Sequence, residues 1–144
     1  MMDQEINMAI IVIVDDDPTI RLIASEMLRH EDYAVVQASD GDEALEVVSI
    51  LPVDLVVLDM LMPNRDGLET ITELKAAHPE VRILAISSGG QMGSGLLLRT
   101  ALAFGADEAL PKPLHADTFT RAVARILAGS VPEAPAEMTG LQAL

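Results

Sequence analysis

Short apolar runs at residues 10–14, 34–38, 55–58, 81–86 and 108–110 alternate with stretches of helical period at 18–30, 41–51, 67–77, 95–104 and 117–128. In the first periodic stretch Ile20, Ile23, Ala24, Met27 and Leu28 fall on one stripe; in the second, Ala44, Leu45, Val47, Val48 and Leu51 do so. The punctuation agrees with this division. Pro18 stands where a first helical turn tolerates proline, Ser39 or Asp40 can cap the second helix, and Asp66-Gly67 can open the third. The apolar runs are continuous Val/Ile/Leu segments rather than alternating ones, which is the pattern of strands buried on both faces. Strand and helix in strict alternation therefore predict an α/β fold: a doubly wound, three-layer sandwich with a five-stranded parallel sheet between helices.

Composition narrows this picture. The chain has 144 residues, half of them hydrophobic, and its only aromatic residues are Tyr33, Phe104 and Phe119, so Val, Ile, Leu, Ala and Met must build the core. No cysteine is present, which excludes thiolate metal sites and disulfides and suits the cytoplasm. The apolar run 8–14 follows acidic residues and is too short for a secretory signal or a bilayer span, so no membrane insertion is expected. The formal charge is −14, and nine lysines and arginines in all argue against nucleic acid as a partner. Residues 1–7 and 129–144 hold only Asp3, Glu5, Glu133 and Glu137 of the 23 acids, so the acidity belongs to the middle of the chain. The expected organisation is an N-terminal extension at 1–7, one domain at 8–128, and a polar, proline-broken, disordered tail at 129–144 with no second domain after it.

In open parallel sheets ligands bind outside the carboxyl ends of the strands. Here those ends carry Asp15-Asp16-Asp17, Asp59, Ser87 and, just past the fifth strand, Lys112. Carboxylates brought together repel one another unless a cation lies among them, and hard oxygen donors suit Mg2+, which commonly keeps a substrate phosphate as a further ligand. A lysine opposite would balance an incoming phosphoryl group, and a serine hydroxyl would hydrogen-bond to it. Asp17 reads as a first-turn acid on the helix dipole rather than a ligand. His30, His78 and His115 stand singly near helix ends and read as surface residues.

Val14-Asp15-Asp16-Asp17-Pro18, Asp59-Met60-Leu61-Met62-Pro63-Asn64-Arg65-Asp66-Gly67, Ser87-Ser88, Gly105-Ala106-Asp107 and Lys112-Pro113 together resemble the receiver domain of two-component response regulators, over about residues 8–128. The resemblance implies the flavodoxin-like strand order 2-1-3-4-5. It implies Asp59 as phosphoacceptor, with Ser87 and Lys112 engaging the phosphoryl group. Asp16, supported by Asp15, with Asp59 and the backbone carbonyl of Leu61, would hold Mg2+ (or Mn2+). The implied donor is a histidine kinase or a histidine phosphotransfer protein. The implied output is a protein–protein contact with an unnamed target, from a stand-alone signalling protein that catalyses only its own phosphorylation and dephosphorylation.

Three features depart from the family pattern. Ala109 stands where relatives commonly carry a Tyr or Phe that changes rotamer. The Gly89–Gly95 connection is longer than usual and, matching no phosphate-binding glycine motif, reads as a mobile loop. Leu61 and Gly89, at the positions that tune hydrolysis in the family, cannot hydrogen-bond an attacking water, so slow self-dephosphorylation is expected. The alternatives are a receiver-like interaction module without phosphoryl turnover and an aspartate-nucleophile phosphatase. The first would lack an acid, the acceptor or the lysine, and none is missing. The second needs an acid two residues after its nucleophile, where this chain has Leu61.

Overall fold

Successive side chains of a strand point to opposite faces, and in the inner strands of this protein both faces are dry. The computed structural model describes residues 8–62, 66–88 and 94–129. Its elements are β1 (Ile10–Val14), α1 (Pro18–Arg29), β2 (Ala34–Ala38), α2 (Gly41–Ile50), β3 (Leu55–Asp59), α3 (Gly67–Ala77), β4 (Arg82–Ser87), α4 (Ser94–Phe104), β5 (Glu108–Pro111) and α5 (Ala116–Ala128). Val12, Val14, Val56, Leu58, Ile83, Ala85 and Ala109 face one way and pack with Ala44, Val48, Ile71, Leu74, Leu98 and Ala101 of α2, α3 and α4. Ile11, Ile13, Leu55, Val57, Leu84, Ile86 and Leu110 face the other way, against Ala24 and Leu28 of α1 and Phe119, Ala122, Val123 and Ile126 of α5. Period-two alternation is thus present, but with apolar residues at both phases, so it reads as a continuous run in the sequence.

The sheet is parallel throughout, in the order β2-β1-β3-β4-β5. The chain winds outward from β1 to β2 and then crosses back to β3, so winding reverses between β1 and β3. Loops after these two strands diverge there and leave a crevice at their carboxyl ends. Asp59 ends β3 and Asp15 follows β1, which puts both carboxylates at that crevice.

Side chains fix where the first three helices begin. Asp17 is the N-cap of α1, accepting from the Thr19 N–H at 2.9 Å, so it acts one position earlier than a first-turn acid. Asp40, rather than Ser39, caps α2 through the Glu43 N–H at 2.9 Å, while Glu43 Oε1 accepts from both the backbone N–H and the hydroxyl of Ser39. Asp66 caps α3 through the Glu69 N–H at 2.8 Å. α1 and α2 each end one residue before the periodic pattern does, and Asp32, with φ 66°, turns the chain from α1 into β2. β4 begins one residue later than its apolar run and extends through Ser87. The segments expected at 1–7 and in the tail from 130 onward lie outside the described residues.

α3 starts hard against β3. A Cβ added to Gly67 would lie 2.7 Å from the Cα of Met60 and 2.6 Å from its Sδ, and Met60 is the residue after Asp59. Gly67→Ala must therefore displace backbone, at a cost of about 1–3 kcal/mol. The expected result is a lower urea midpoint at unchanged m-value; a variant melting like wild type would show that the Met60 turn yields without cost.

Candidate functional site

Four of the five strands deliver a side chain to one rim. One carboxylate oxygen from each of Asp15, Asp16 and Asp59 lies within 4.8 Å of the others. Asp15 and Asp59 are buried, at 1% and 3% exposure, while Asp16 opens to solvent. Lys112 stands between the two buried acids, its Nζ 2.8 Å from Asp15 Oδ2 and 3.5 Å from Asp59 Oδ1. Ser87, fully buried at the end of β4, accepts the Lys112 backbone N–H on its carbonyl at 2.9 Å, so the ladder itself seats the lysine.

Short local bonds aim the acids. Asp15 Oδ1 accepts from the Asp17 N–H at 2.9 Å, and Asp59 Oδ1 accepts from the Leu61 N–H at 3.3 Å. The Leu61 side chain is exposed beside the acceptor position. Arg21 of α1 donates through Nη1 to the Asp15 carbonyl at 2.7 Å and through Nε to Gln37 Oε1 at 3.2 Å. Sequence reasoning passed over Arg21; the signal was available, since it stands one helical turn beyond the triple aspartate on the helix that this run opens.

Burial, and then the nearby Asp15 carboxylate, raise the pKa of Asp59 to about 6, although Lys112 and the Leu61 N–H pull it down. Burial opposes a charge on Lys112, but its bond to Asp15 and the Asp59 charge outweigh that and raise its pKa. One ammonium therefore does not neutralise this cluster. The donors are all hard oxygens and the acids retain uncompensated charge, which is the arrangement that favours a divalent cation.

Asp15, Asp16, Asp59, Ser87 and Lys112 come to the rim, whereas Asp17 turns to its own helix. His30, His78 and His115 sit at helix ends and none joins the acidic group. Ala109 is buried on β5 against the α4 side of the sheet, within the cluster that holds Leu98 and Ala101. Pro63, Asn64 and Arg65, and residues 89–93 of the glycine-rich connection, lie outside the described residues.

Comparison with known proteins gives one consistent result. The family model described as the response regulator receiver domain matches residues 11–124. The transcriptional regulatory protein CpxR of Klebsiella pneumoniae is 35% identical over 105 residues, covering 73% of this chain but 43% of the relative. The chain thus spans about half the length of the curated relatives it matches. Among solved structures, a response regulator receiver domain protein from Clostridium thermocellum superposes with a TM-score of 0.78 at 26% identity, covering 85% of this chain and 96% of that one. The response regulator TrrA from Thermotoga maritima, solved in complex with Mg2+ and BeF, gives a TM-score of 0.71 at 32% identity, with 83% and 99% coverage.

The buried acids give a pH signature in metal-free protein. Asp59 has a folded pKa of about 6 against an ordinary value of 3.8, so the native state holds the Asp59 proton more tightly than the unfolded chain does. Its contribution to stability is complete below the unfolded value and is lost as pH rises through about 6. Asp59→Asn removes that loss and is expected to be more stable than wild type at pH 7 by roughly 2–3 kcal/mol, with the gap closing near pH 4. Urea unfolding in EDTA across that range checks it. Parallel profiles for the two proteins would mean that the acids are not in conflict.

Proposed function

This chain belongs to the response regulator receiver family, and from that membership we propose that it accepts a phosphoryl group on Asp59, from a phosphohistidine donor, at a Mg2+ site formed with Asp15 and Asp16. One observation carries the reading. A buried carboxylate ends β3 within reach of two further carboxylates and a lysine, at the point where the winding of the sheet reverses.

In the proposed step an Asp59 carboxylate oxygen forms a bond to phosphorus. The bond from phosphorus to the donor's imidazole nitrogen breaks, and that nitrogen keeps the electron pair. Phosphoryl transfer of this kind asks the protein for position and charge compensation more than for covalent chemistry. At neutral pH Asp59 is mostly ionised and able to attack, and the Leu61 N–H holds one of its oxygens in place. Lys112 already lies within reach of both Asp15 and Asp59, so its ammonium is available to a phosphoryl oxygen on Asp59. The Ser87 hydroxyl supplies a donor from the neighbouring strand. A bound Mg2+ would neutralise charge on the transferring oxygens, and the carboxylates of Asp15, Asp16 and Asp59, with the carbonyl of Leu61, are the ligands we assign to it. The relative solved with Mg2+ and BeF supports that choice of metal.

Receiver domains are signalling proteins, so the phosphorylated surface is the output. We assign a histidine kinase or histidine phosphotransfer protein as the donor and a protein as the downstream target, in the cytoplasm. Among the described residues no helix is long and apolar enough to cross a membrane.

Incubation with phosphoramidate and Mg2+ followed by intact-mass measurement tests the assignment. Wild type is expected to gain one phosphoryl group, and Asp59→Asn none while remaining folded; a labelled Asp59→Asn would remove the acceptor. Leu61→Asn, which places a hydrogen-bonding group on the exposed side of Asp59, is expected to speed loss of the label. Unchanged decay would show that the attacking water is placed elsewhere.

A further inference from the structure

The Asp15-Asp16-Asp17 loop has to satisfy two demands at once. It must leave β1 in register with β2, which it does through the Asp15 N–H to Ala38 carbonyl bond at 3.2 Å. It must also aim two carboxylates at one point, although like charges push them apart. The peptide that links Asp15 to Asp16 governs the second demand, because its plane sets where both residues project. That peptide's carbonyl oxygen is held by Arg21 Nη1 at 2.7 Å. The guanidinium is held in turn by Gln37 Oε1 at 3.2 Å, on the strand that pairs with β1. The backbone of Arg21 adds a third tie, its N–H donating to the Asp17 carbonyl at 3.1 Å. A planar fork with donors in fixed directions can bridge a loop carbonyl and a neighbouring strand in this way; a lysine, as a point charge, cannot hold both.

We infer that Arg21 is a positioning residue for the cation site: by gripping the Asp15 carbonyl from α1 while anchored to Gln37 of β2, it sets the direction of the Asp15 and Asp16 carboxylates. It rests on the metal site proposed above and concerns a residue outside the ligands assigned there.

Two physical effects of Arg21 on a cation oppose each other, and this makes the inference testable by sign. As a positive charge beside the acids, Arg21 repels a dication, so removing the charge alone would tighten binding. As a clamp on the ligand loop it favours binding, and partners that orient metal ligands typically contribute about 10–100-fold in affinity. The inference holds that the clamp dominates.

The test is a calorimetric titration of MgCl2 into the full chain, with no phosphodonor present, for wild type, Arg21→Met, Arg21→Lys and Gln37→Leu. Arg21→Met is expected to weaken Mg2+ binding about tenfold. Arg21→Lys, which keeps the charge and loses the fork, is expected to weaken it as well, and Gln37→Leu to weaken it less. The Mg2+ concentration for half-maximal labelling by phosphoramidate should rise by the same factor. Thermal melts in EDTA establish that each variant is folded; if Arg21→Met is not, Arg21→Lys and Gln37→Leu carry the comparison. Tighter or unchanged Mg2+ binding in the folded variants overturns the positioning role. Absence of Mg2+ binding in wild type would instead overturn the metal site on which it rests.

Discussion

Two carboxylates that are almost fully buried, a third at the surface beside them, and one ammonium between them form an electrostatically unbalanced group. Removing ionised groups from water is costly, and the attraction of a single lysine offsets only part of that cost. The raised pKa of Asp59 is the direct expression of the imbalance, since the fold tolerates the proton more readily than the charge. Whatever adds positive charge at the rim relieves the strain, and whatever adds negative charge at Asp59 renews it. The proposed uptake of a cation and a phosphoryl group draws on that imbalance more than on any one residue.

An arrangement of this kind needs a scaffold that will not relax around it. β1 and β3 lie side by side in the middle layer, and Ile11–Val14 and Leu55–Leu58 are fully buried. Helices cover both faces of the sheet, so the strands that end in Asp15 and Asp59 cannot separate to let the charges apart without opening both apolar layers. Hydrogen bonds at the rim add local restraint: Asp17 is committed to capping α1, the Asp15 carboxylate is committed to the Asp17 N–H, and Arg21 ties the loop to β2. The core bears the cost of the acids, and the caps determine where they point.

The layers were legible because strand and helix periods differ and because doubly buried strands leave unbroken apolar runs. The rim was legible for a related reason: a parallel sheet brings every strand's carboxyl end to one side, so residues 15, 59, 87 and 112 had to meet however far apart they stand in the chain. Pairwise contacts between elements were not legible. Glu108 is a charged residue at the head of the short fifth run, yet it is 4% exposed and held by Arg125 of α5 at 2.8 and 3.2 Å. No pattern within β5 announces a partner seventeen residues away on another layer. Arg21 was missed for a similar reason, because on α1 it occupies an ordinary polar position and only the crossing of β2 behind the loop gives it two acceptors. Asp17 was misread by one position because a cap and a first-turn acid look alike in sequence; the difference is the extended backbone of Asp17, with φ −91° and ψ 112°.

Ala109 sharpens what the rest of the structure must do. It faces α4 from β5, its register partner is Ala85 of β4, and Leu98 and Ala101 of α4 belong to the same cluster, so small side chains bring helix and sheet close at this point. A methyl group has no rotamer to exchange, and a charge added at Asp59 therefore cannot be relayed through this position by ring rotation. The connections that do leave the site are backbone and charge. Lys112 reaches Asp59 through its ammonium and Ser87 through its N–H, so one residue joins the acid to the ends of β4 and β5. β5 in turn is fastened to α5 by the part-buried pair of Glu108 and Arg125. The same two elements also share the apolar layer that holds Leu110, Phe119 and Val123, so polar and apolar contacts both join them. In this chain the elements beside the site are joined by backbone hydrogen bonds, an ion pair and apolar packing, and none of these connections runs through a side chain at position 109 that could turn.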